Sequence, residues 1–279
     1  MRLGGPVWPE EATPDAWIVA LQREGYTAAY WPTTHDAPSD EIRAYRQAAE
    51  THGIVIAEVG AWSNPLSPNA ELARQAIDQC KRQLELAERA GARCCVNIAG
   101  SRSAQWDGPH PDNLTDATFD RIIETVQEII DAVGPSETTY ALETMPWAYP
   151  DSPESYQALI EAIDRPQFAV HLDPVNLVNS PSRYFRNGEL VDRCFDLLGD
   201  RIRSCHAKDI RLSERLTVHL DEAAPGEGAL DYRTYLTRLD ACDPDTPLML
   251  EHLAEPDQYR AAAAHIRQIA DDLGIAFRS

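Results

Sequence analysis

Short apolar runs alternate with longer amphipathic ones from one end of this chain to the other, and no other feature limits its fold as much. The apolar runs are "RLGGPVW", "TAAYW", "IVIAEVGAW", "CCVNIAG", "TYALETM", "FAVHLD", "RSCHAKDI" and "PLMLEHL". Such short, mostly apolar runs suit strands whose two faces are both covered. The stretches between them carry helix signals. In "TPDAWIVALQREG", Thr13 is the expected N-cap, Pro14 takes the first helical position and Gly25 is the stop. Ser39 or Asp40 opens the next helix and Gly53 ends it. Further helices are expected over 67–92, 115–134, 152–164, 187–200, 231–242 and 256–274. Strands that alternate with helices are joined by crossovers and run parallel. A single (β/α)8 barrel of the α/β class is the economical closure, and a doubly wound open sheet is the alternative. The 279 residues suit one such barrel, and no Pro/Ser/Gly-rich linker divides them, so one domain over 1–279 is expected.

Barrels of this kind place their sites at the C-terminal ends of the strands. The third run delivers Glu58 there, the fourth Asn97 and the fifth Glu143. The sixth delivers His171 and Asp173, the seventh His206 and Lys208, and the eighth Glu251. Alternation puts Ala141 with Glu143 on one face, Ser204 with His206 and Lys208, and Met249 with Glu251. Small residues beneath leave room for polar groups above. Glu143, Asp173, His206 and Glu251 come from four consecutive strands. Carboxylates crowded together raise each other's pKa unless a cation compensates them. Three oxygen donors and an imidazole suit one divalent ion: Mn2+ first, with Mg2+, Co2+ or Zn2+ as alternatives.

In "ALET", "HLDPVN", "CHAKD", "PGEGALDY" and "LMLEHL" the chain resembles the xylose-isomerase-like TIM barrel superfamily, the sugar phosphate isomerase/epimerase group. The likeness in layout covers essentially the whole chain. It implies that Glu143, Asp173, His206 and Glu251 bind one divalent metal, and that the two glutamates also exchange protons with the substrate. The activity it implies is a metal-dependent sugar isomerase or epimerase, working next to a carbonyl through a metal-stabilised enediolate. A lyase or dehydratase acting on a keto-sugar, keto-inositol or 3-keto-glycoside begins with the same proton abstraction. A non-catalytic sugar-binding barrel is a third reading. DNA-repair endonucleases share the superfamily, but this chain lacks an Asp-x-His after "CHAKD" and the additional histidines on early strands. Many epimerases of the group carry a histidine three residues after the aspartate, where this chain has Asn176.

The substrate-binding expectations are Lys208, Glu58, Asn97, His171, Asn176, Trp62 and Trp147. Lys208 shares a face with His206 and is expected to touch substrate or a carboxylate. Glu58 binds substrate hydroxyls or pairs with Lys208. Asn97 and Trp62 are pocket candidates, and Trp147 is a wall for a sugar face or a core residue. His171 either orients a carboxylate or packs in the core. His252 is expected to point away from Glu251, and "PGEG" at 225–228 reads as a turn rather than a phosphate cradle. The net charge of -20 repels phosphate backbones and anionic lipid. Nucleic acid and membrane are therefore excluded as partners, and the small-molecule sugar or keto-sugar is expected to be unphosphorylated. Six cysteines without a CxxC pair read as reduced thiols of a cytoplasmic protein. Homo-oligomers are common in the group, and the sequence shows no interface.

Overall fold

The computed structural model describes residues 1–278. Its strands are β1 (Arg2–Gly4), β2 (Ala28–Tyr30), β3 (Val55–Gly60), β4 (Cys94–Asn97), β5 (Thr139–Glu143), β6 (Phe168–Leu172), β7 (Ile202–Ala207), β8 (Asp209–Leu212), β9 (Leu220–Ala223) and β10 (Pro247–Leu250). All but β8 and β9 are parallel and pair with their chain neighbours, and β10 closes the ring between β7 and β1. The closed (β/α)8 barrel is thus the fold, and the open-sheet alternative falls.

Helices α1 (Pro14–Glu24), α2 (Ser39–Thr51), α3 (Ala70–Ala90), α4 (Asp116–Val133) and α5 (Pro153–Ile163) follow the first five strands. Two single turns, α6 (Pro174–Leu177) and α7 (Pro181–Tyr184), precede α8 (Asn187–Leu198), α9 (Tyr232–Asp240) and α10 (Pro256–Leu273). The expected signals act at α1: the Thr13 hydroxyl accepts from the Ala16 N–H, and Gly25 takes φ 65° at the C-cap. The expected side-chain cap of α2 is absent, because Ser39 already lies inside the helix and Pro38 occupies the cap position.

Side-chain alternation divides the barrel into two layers. Leu142, Phe168, Val170, Leu172, Cys205 and Leu248 face the helices in the main core. Full burial of each large apolar side chain there contributes roughly 1.5–3 kcal/mol. The interior is filled by small groups: Ala28 and Ala57 meet Met249, and Cys94 and Val96 meet Ala141. A Cβ on Gly4 would collide with the Met249 sulfur and the Ala28 carbonyl, so β1 needs glycine at this close approach. Only the upper ends of the strands have space for long polar side chains.

The seventh run was expected to continue to Ile210, and it breaks at Lys208. The Lys208 carbonyl accepts from the Tyr232 hydroxyl at 2.7 Å, and the chain leaves the barrel as an antiparallel β8–β9 hairpin. Asp209 fixes this exit. Its carboxylate accepts from the N–H groups of Ile210, Gly226, Gly228 and Leu230 at 2.8–3.1 Å. "PGEG" is therefore a turn whose backbone donors serve an internal carboxylate. The cysteines are all free, and no described helix is long and apolar enough to cross a membrane.

Candidate metal centre

Four side chains converge above the small-residue floor. Glu143 ends β5, His206 projects from β7, and Asp173 and Glu251 lie one residue beyond β6 and β10. One ligand atom from each lies within 4.8 Å of the others. The His206 Nδ1 is 2.8 Å from Glu251 Oε1, 3.1 Å from Glu143 Oε1 and 3.8 Å from Asp173 Oδ2. Asp173 divides its work between two oxygens. Its Oδ1 caps α6 by accepting from the N–H groups of Val175 and Asn176, leaving Oδ2 for the cluster. Lys208 enters from the barrel wall, with Nζ 2.5 Å from Asp173 Oδ2 and 2.9 Å from Glu251 Oε1. Asn176 donates its amide to Glu143 Oε1 at 3.2 Å.

A second layer holds the imidazole from below. Glu58 Oε1 is 3.4 Å from His206 Nε2, while its Oε2 meets His171 Nε2 at 2.7 Å and the Ser204 hydroxyl at 2.9 Å. A local irregularity aims Glu58 there. Ala29 pairs with Ile56 but Tyr30 pairs with Glu58, so β3 carries an extra residue at Ala57. The bulge turns both Ala57 and Glu58 inward. Glu58 held by a proton on Nε2 leaves the Nδ1 lone pair of His206 facing the other carboxylates, which is the tautomer a metal-ligating histidine needs.

The electrostatics fit a cation. Burial pushes Glu58 up, yet His171 and His206 overcome it and hold the carboxyl well below its usual range. Burial likewise opposes ionisation of Asp173, and Lys208 with His206 reverses this. Glu251 is held at about 2, burial being outweighed by His206 and Lys208. Glu143 goes the other way, raised chiefly by burial. His206 is raised far above its usual value because Glu251 and Glu143 outweigh its burial. The ligands alone thus draw protons into the space between them. Asp173 Oδ2 and Glu251 Oε1 are buried and accept no well-directed hydrogen bond, although the Lys208 ammonium is close to both. Carboxylate oxygens converging on an imidazole lone pair, with one ammonium shared among them, suit a hard or borderline divalent ion.

The cluster forms the floor of a cavity of about 720 Å³. Lys208, Glu58, Asn176, Trp62 and Trp147 line it. Glu58 pairs with the two histidines rather than with Lys208. His171 is wholly buried beneath Glu58 and reaches no cavity surface, so the orienting reading fits it and the substrate-contact reading does not. Asn97 is also off the cavity. It shares the outer face with Leu142, donates to Cys80 Sγ on α3 and accepts from the Ser63 N–H. Its inner neighbours are Cys94 and Val96, so alternation excludes it from the barrel interior. His252 was expected to point away from Glu251 and does not: at φ 58° the chain turns its ring into the cavity, with Nε2 3.6 Å from Glu251 and Nδ1 3.2 Å from Glu222. Sequence reasoning missed Tyr30, Trp31, Trp106, Glu222 and Tyr259 in the lining. All but Tyr259 belong to short strand ends, loops and the hairpin, where no period marks direction, and Tyr259 lies in the first turn of α10.

Comparison with known proteins agrees with this architecture. The family model described as "Xylose isomerase-like TIM barrel" matches residues 18–269. No curated protein matches the sequence. Among solved structures, D-psicose 3-epimerase with D-tagatose from Clostridium cellulolyticum is similar at 13% identity, over 99% of this chain and 100% of that one, with a TM-score of 0.70. Endonuclease IV from Thermus thermophilus is similar at 16% identity, over 98% and 100%, with a TM-score of 0.74. A xylose isomerase-like TIM barrel protein from Mycobacterium smegmatis in complex with magnesium is similar at 17% identity, over 94% and 90%, with a TM-score of 0.67. At these identities the likeness is one of fold.

Proposed function

From the premise that the chain belongs to the xylose isomerase-like TIM barrel family, we propose that it is a divalent-cation-dependent isomerase or epimerase of a small sugar or keto-sugar. One observation carries this reading. Two glutamates, one at the end of β5 and one just past β10, each commit a single oxygen to the cluster. Glu143 uses Oε1 toward His206 and Asn176, and Glu251 uses Oε1 toward His206 and Lys208. The second oxygen of Glu143 is left for substrate, and that of Glu251 faces the cavity beside His252 Nε2, 3.6 Å away.

In this reading Glu143, Asp173, His206 and Glu251 hold one ion, Mn2+ first on the chemistry of the donors. When bound, the ion supplies polarisation of a carbonyl and of the hydroxyl beside it. The rest falls to the chain. One glutamate removes the proton at the carbon next to the carbonyl, and the other returns it to the neighbouring atom or the opposite face. Lys208 and Asn176 present donors to substrate oxygens at the same level of the barrel. Glu58 and His171 keep His206 oriented. The aromatic walls exclude water from the reacting carbon. The chain acts as one domain, and its free thiols suit a reducing cytoplasm.

Endonuclease activity is disfavoured by the cavity itself. Its lining carries Glu58, Asp107, Glu143, Glu222 and Glu251 against one lysine and no arginine, a poor surface for phosphate. A lyase or dehydratase is the second reading, and Lys208 favours it. Its ammonium stands at the cluster as a donor to a departing oxygen.

The test begins with Mn2+ titrated calorimetrically into stripped protein. About one ion per chain is expected, with affinity at least tenfold lower in Glu251→Gln. A panel of ketoses, inososes and 3-keto-glycosides in D2O then reports proton exchange and product. Failure to take up Mn2+, Mg2+, Co2+ or Zn2+ refutes the proposal. Metal uptake with loss of a β-substituent, and no isomer, moves the assignment to the lyase.

A further inference from the structure

We propose that the mouth of the cavity is a subsite for a second ring, and that the site accepts an uncharged glycoside rather than a lone monosaccharide. The reacting sugar ring sits at the four-ligand cluster. The ring joined to it, sugar or aromatic, lies on Trp62, Trp106 and Trp147. This rests on the reading of the cluster given above and adds the substrate class.

The size of the cavity is the first support. Its 720 Å³ lies in the upper part of the range of pockets that hold drug-sized ligands, well beyond the needs of a single sugar ring. The second is where the aromatic surface lies. Trp62, Trp106 and Trp147 follow β3, β4 and β5, three consecutive strands, and all line the same concavity. They are 42%, 41% and 41% exposed. Single exposed apolar side chains are ordinary on a protein surface. Three half-exposed indoles lining one cavity concentrate apolar surface at a concave site, the kind of surface that marks a binding site.

Two of these rings are positioned by their surroundings. A Cβ on Gly60 would collide with the Trp62 indole, so glycine alone lets that ring fold back against its own strand. Trp147 donates its Nε1–H to the Asp107 carbonyl at 2.8 Å, tying the loop after β5 to the loop after β4. A ring so tied as Trp147 loses little conformational freedom on binding, which favours its use as a platform. The C–H face of a pyranose or the face of an aromatic aglycone complements such a platform equally. Charge supplies the remaining term. Lys208 is the sole lysine or arginine in the lining, and Asp173 and Glu251 already pair with it. A phosphate at the mouth would meet Asp107, and Glu222 already engages the nearby cationic groups, His252 at 3.2 Å and Lys208 at 3.5 Å.

Calorimetry on the Mn2+-loaded protein tests this with D-fructose, D-glucose, D-fructose 6-phosphate, cellobiose and phenyl β-D-glucopyranoside. At least one two-ring probe is expected to bind about tenfold or more tightly than D-glucose, a ratio equivalent to about 1.4 kcal/mol. That ratio is expected to fall to within about twofold of unity in Trp62→Ala and Trp147→Ala, as loss of a stacking platform predicts. Trp147→Phe, which keeps a ring, should retain part of it, and circular dichroism reports whether each variant is folded. Cellobiose alone gaining affinity assigns the subsite to a sugar, and phenyl glucoside alone assigns it to an aromatic aglycone. Equal affinity for one- and two-ring probes, or a preference that survives both alanine variants, overturns the proposal. Tighter binding of D-fructose 6-phosphate than of D-fructose overturns its uncharged character. Mn2+-dependent binding of single sugars without a two-ring advantage refutes the subsite alone. Uptake of Mn2+ with no binding of any of these sugars refutes the sugar reading and the subsite together.

Discussion

Tyr156→Phe deletes one oxygen from the wall that carries the metal ligands, and its cost is calculable. Tyr156 lies on α5, fully buried, with its ring stacked on Phe168 at a centroid distance of 5.9 Å. Its hydroxyl sits between β5 and β6. It is within donor reach of the carbonyls of Leu142 and Ala169, at 2.7 and 2.8 Å, and accepts from the Leu142 N–H at 3.1 Å. The more distant His171 N–H is at 3.4 Å. A hydroxyl has one proton, so the two carbonyls share it, and each keeps a second lone pair for other use. Phenylalanine leaves the stacked ring and removes both roles. A buried donor left unpaired costs about 1–3 kcal/mol, and the lost net bond to a carbonyl adds about 1 kcal/mol. The expected destabilisation is therefore about 2–4 kcal/mol, read from urea unfolding of the metal-free protein with an unchanged m-value. The affected groups stand one residue before Glu143 and two before Asp173, so Mn2+ affinity should also fall, by about tenfold. A stability change below about 0.5 kcal/mol would refute the reasoning, because the strand groups would then be satisfied without the phenol.

Two further changes separate the site from the scaffold. Glu58→Gln keeps the size of the side chain and removes the charge that three donors share, so Mn2+ affinity should drop about 10–100-fold. Nitrogen-15 spectra of His206 should show a mixture of tautomers, and affinity and spectra both unchanged would dismiss Glu58 as a positioning residue. Glu88 on α3 ties down the turn before β5, accepting from the N–H groups of Ser136, Glu137 and Thr138 at 3.0 Å each. Burial opposes its ionisation, but a bond from the Ser136 hydroxyl and these backbone bonds together prevail and lower its pKa to about 2. A depressed folded-state pKa stabilises the fold above the unfolded value of about 4.3, and this stabilisation is lost as pH falls toward 2. The shift corresponds to about 3 kcal/mol nominally, reduced by solvent screening to about 1–2 kcal/mol. Glu88→Gln should lose that amount at pH 7, and its stability should converge on that of the unsubstituted protein in acid. A difference independent of pH would show that the carboxylate charge plays no part.

The parts of this structure that were legible in the sequence are those governed by a strict period. Ala141 and Glu143, Ser204 and His206, and Met249 and Glu251 alternate as the strands demand, and the cluster follows from that alone. The same rule, applied one strand earlier, would have removed Asn97, which shares the outer face with Leu142. Glu58 could not be read this way. Alternation from Ile56 would send it outward, and only the extra residue at Ala57 returns it to the barrel interior. A bulge has no period and Ala57 is no turn signal, so the support beneath His206 was invisible in one dimension. The loops were silent for a related reason. Trp106, Glu222 and His252 reach the cavity because Trp147 bonds to Asp107, because Asp209 anchors the hairpin, and because the chain turns at His252. Each of these contacts joins segments far apart in the chain or depends on one dihedral angle. The ligand set therefore belongs to the repeating part of the fold, and what surrounds a substrate belongs to its irregular part. Sequence alone is bound to be more informative about the common proton chemistry than about the molecule on which it acts.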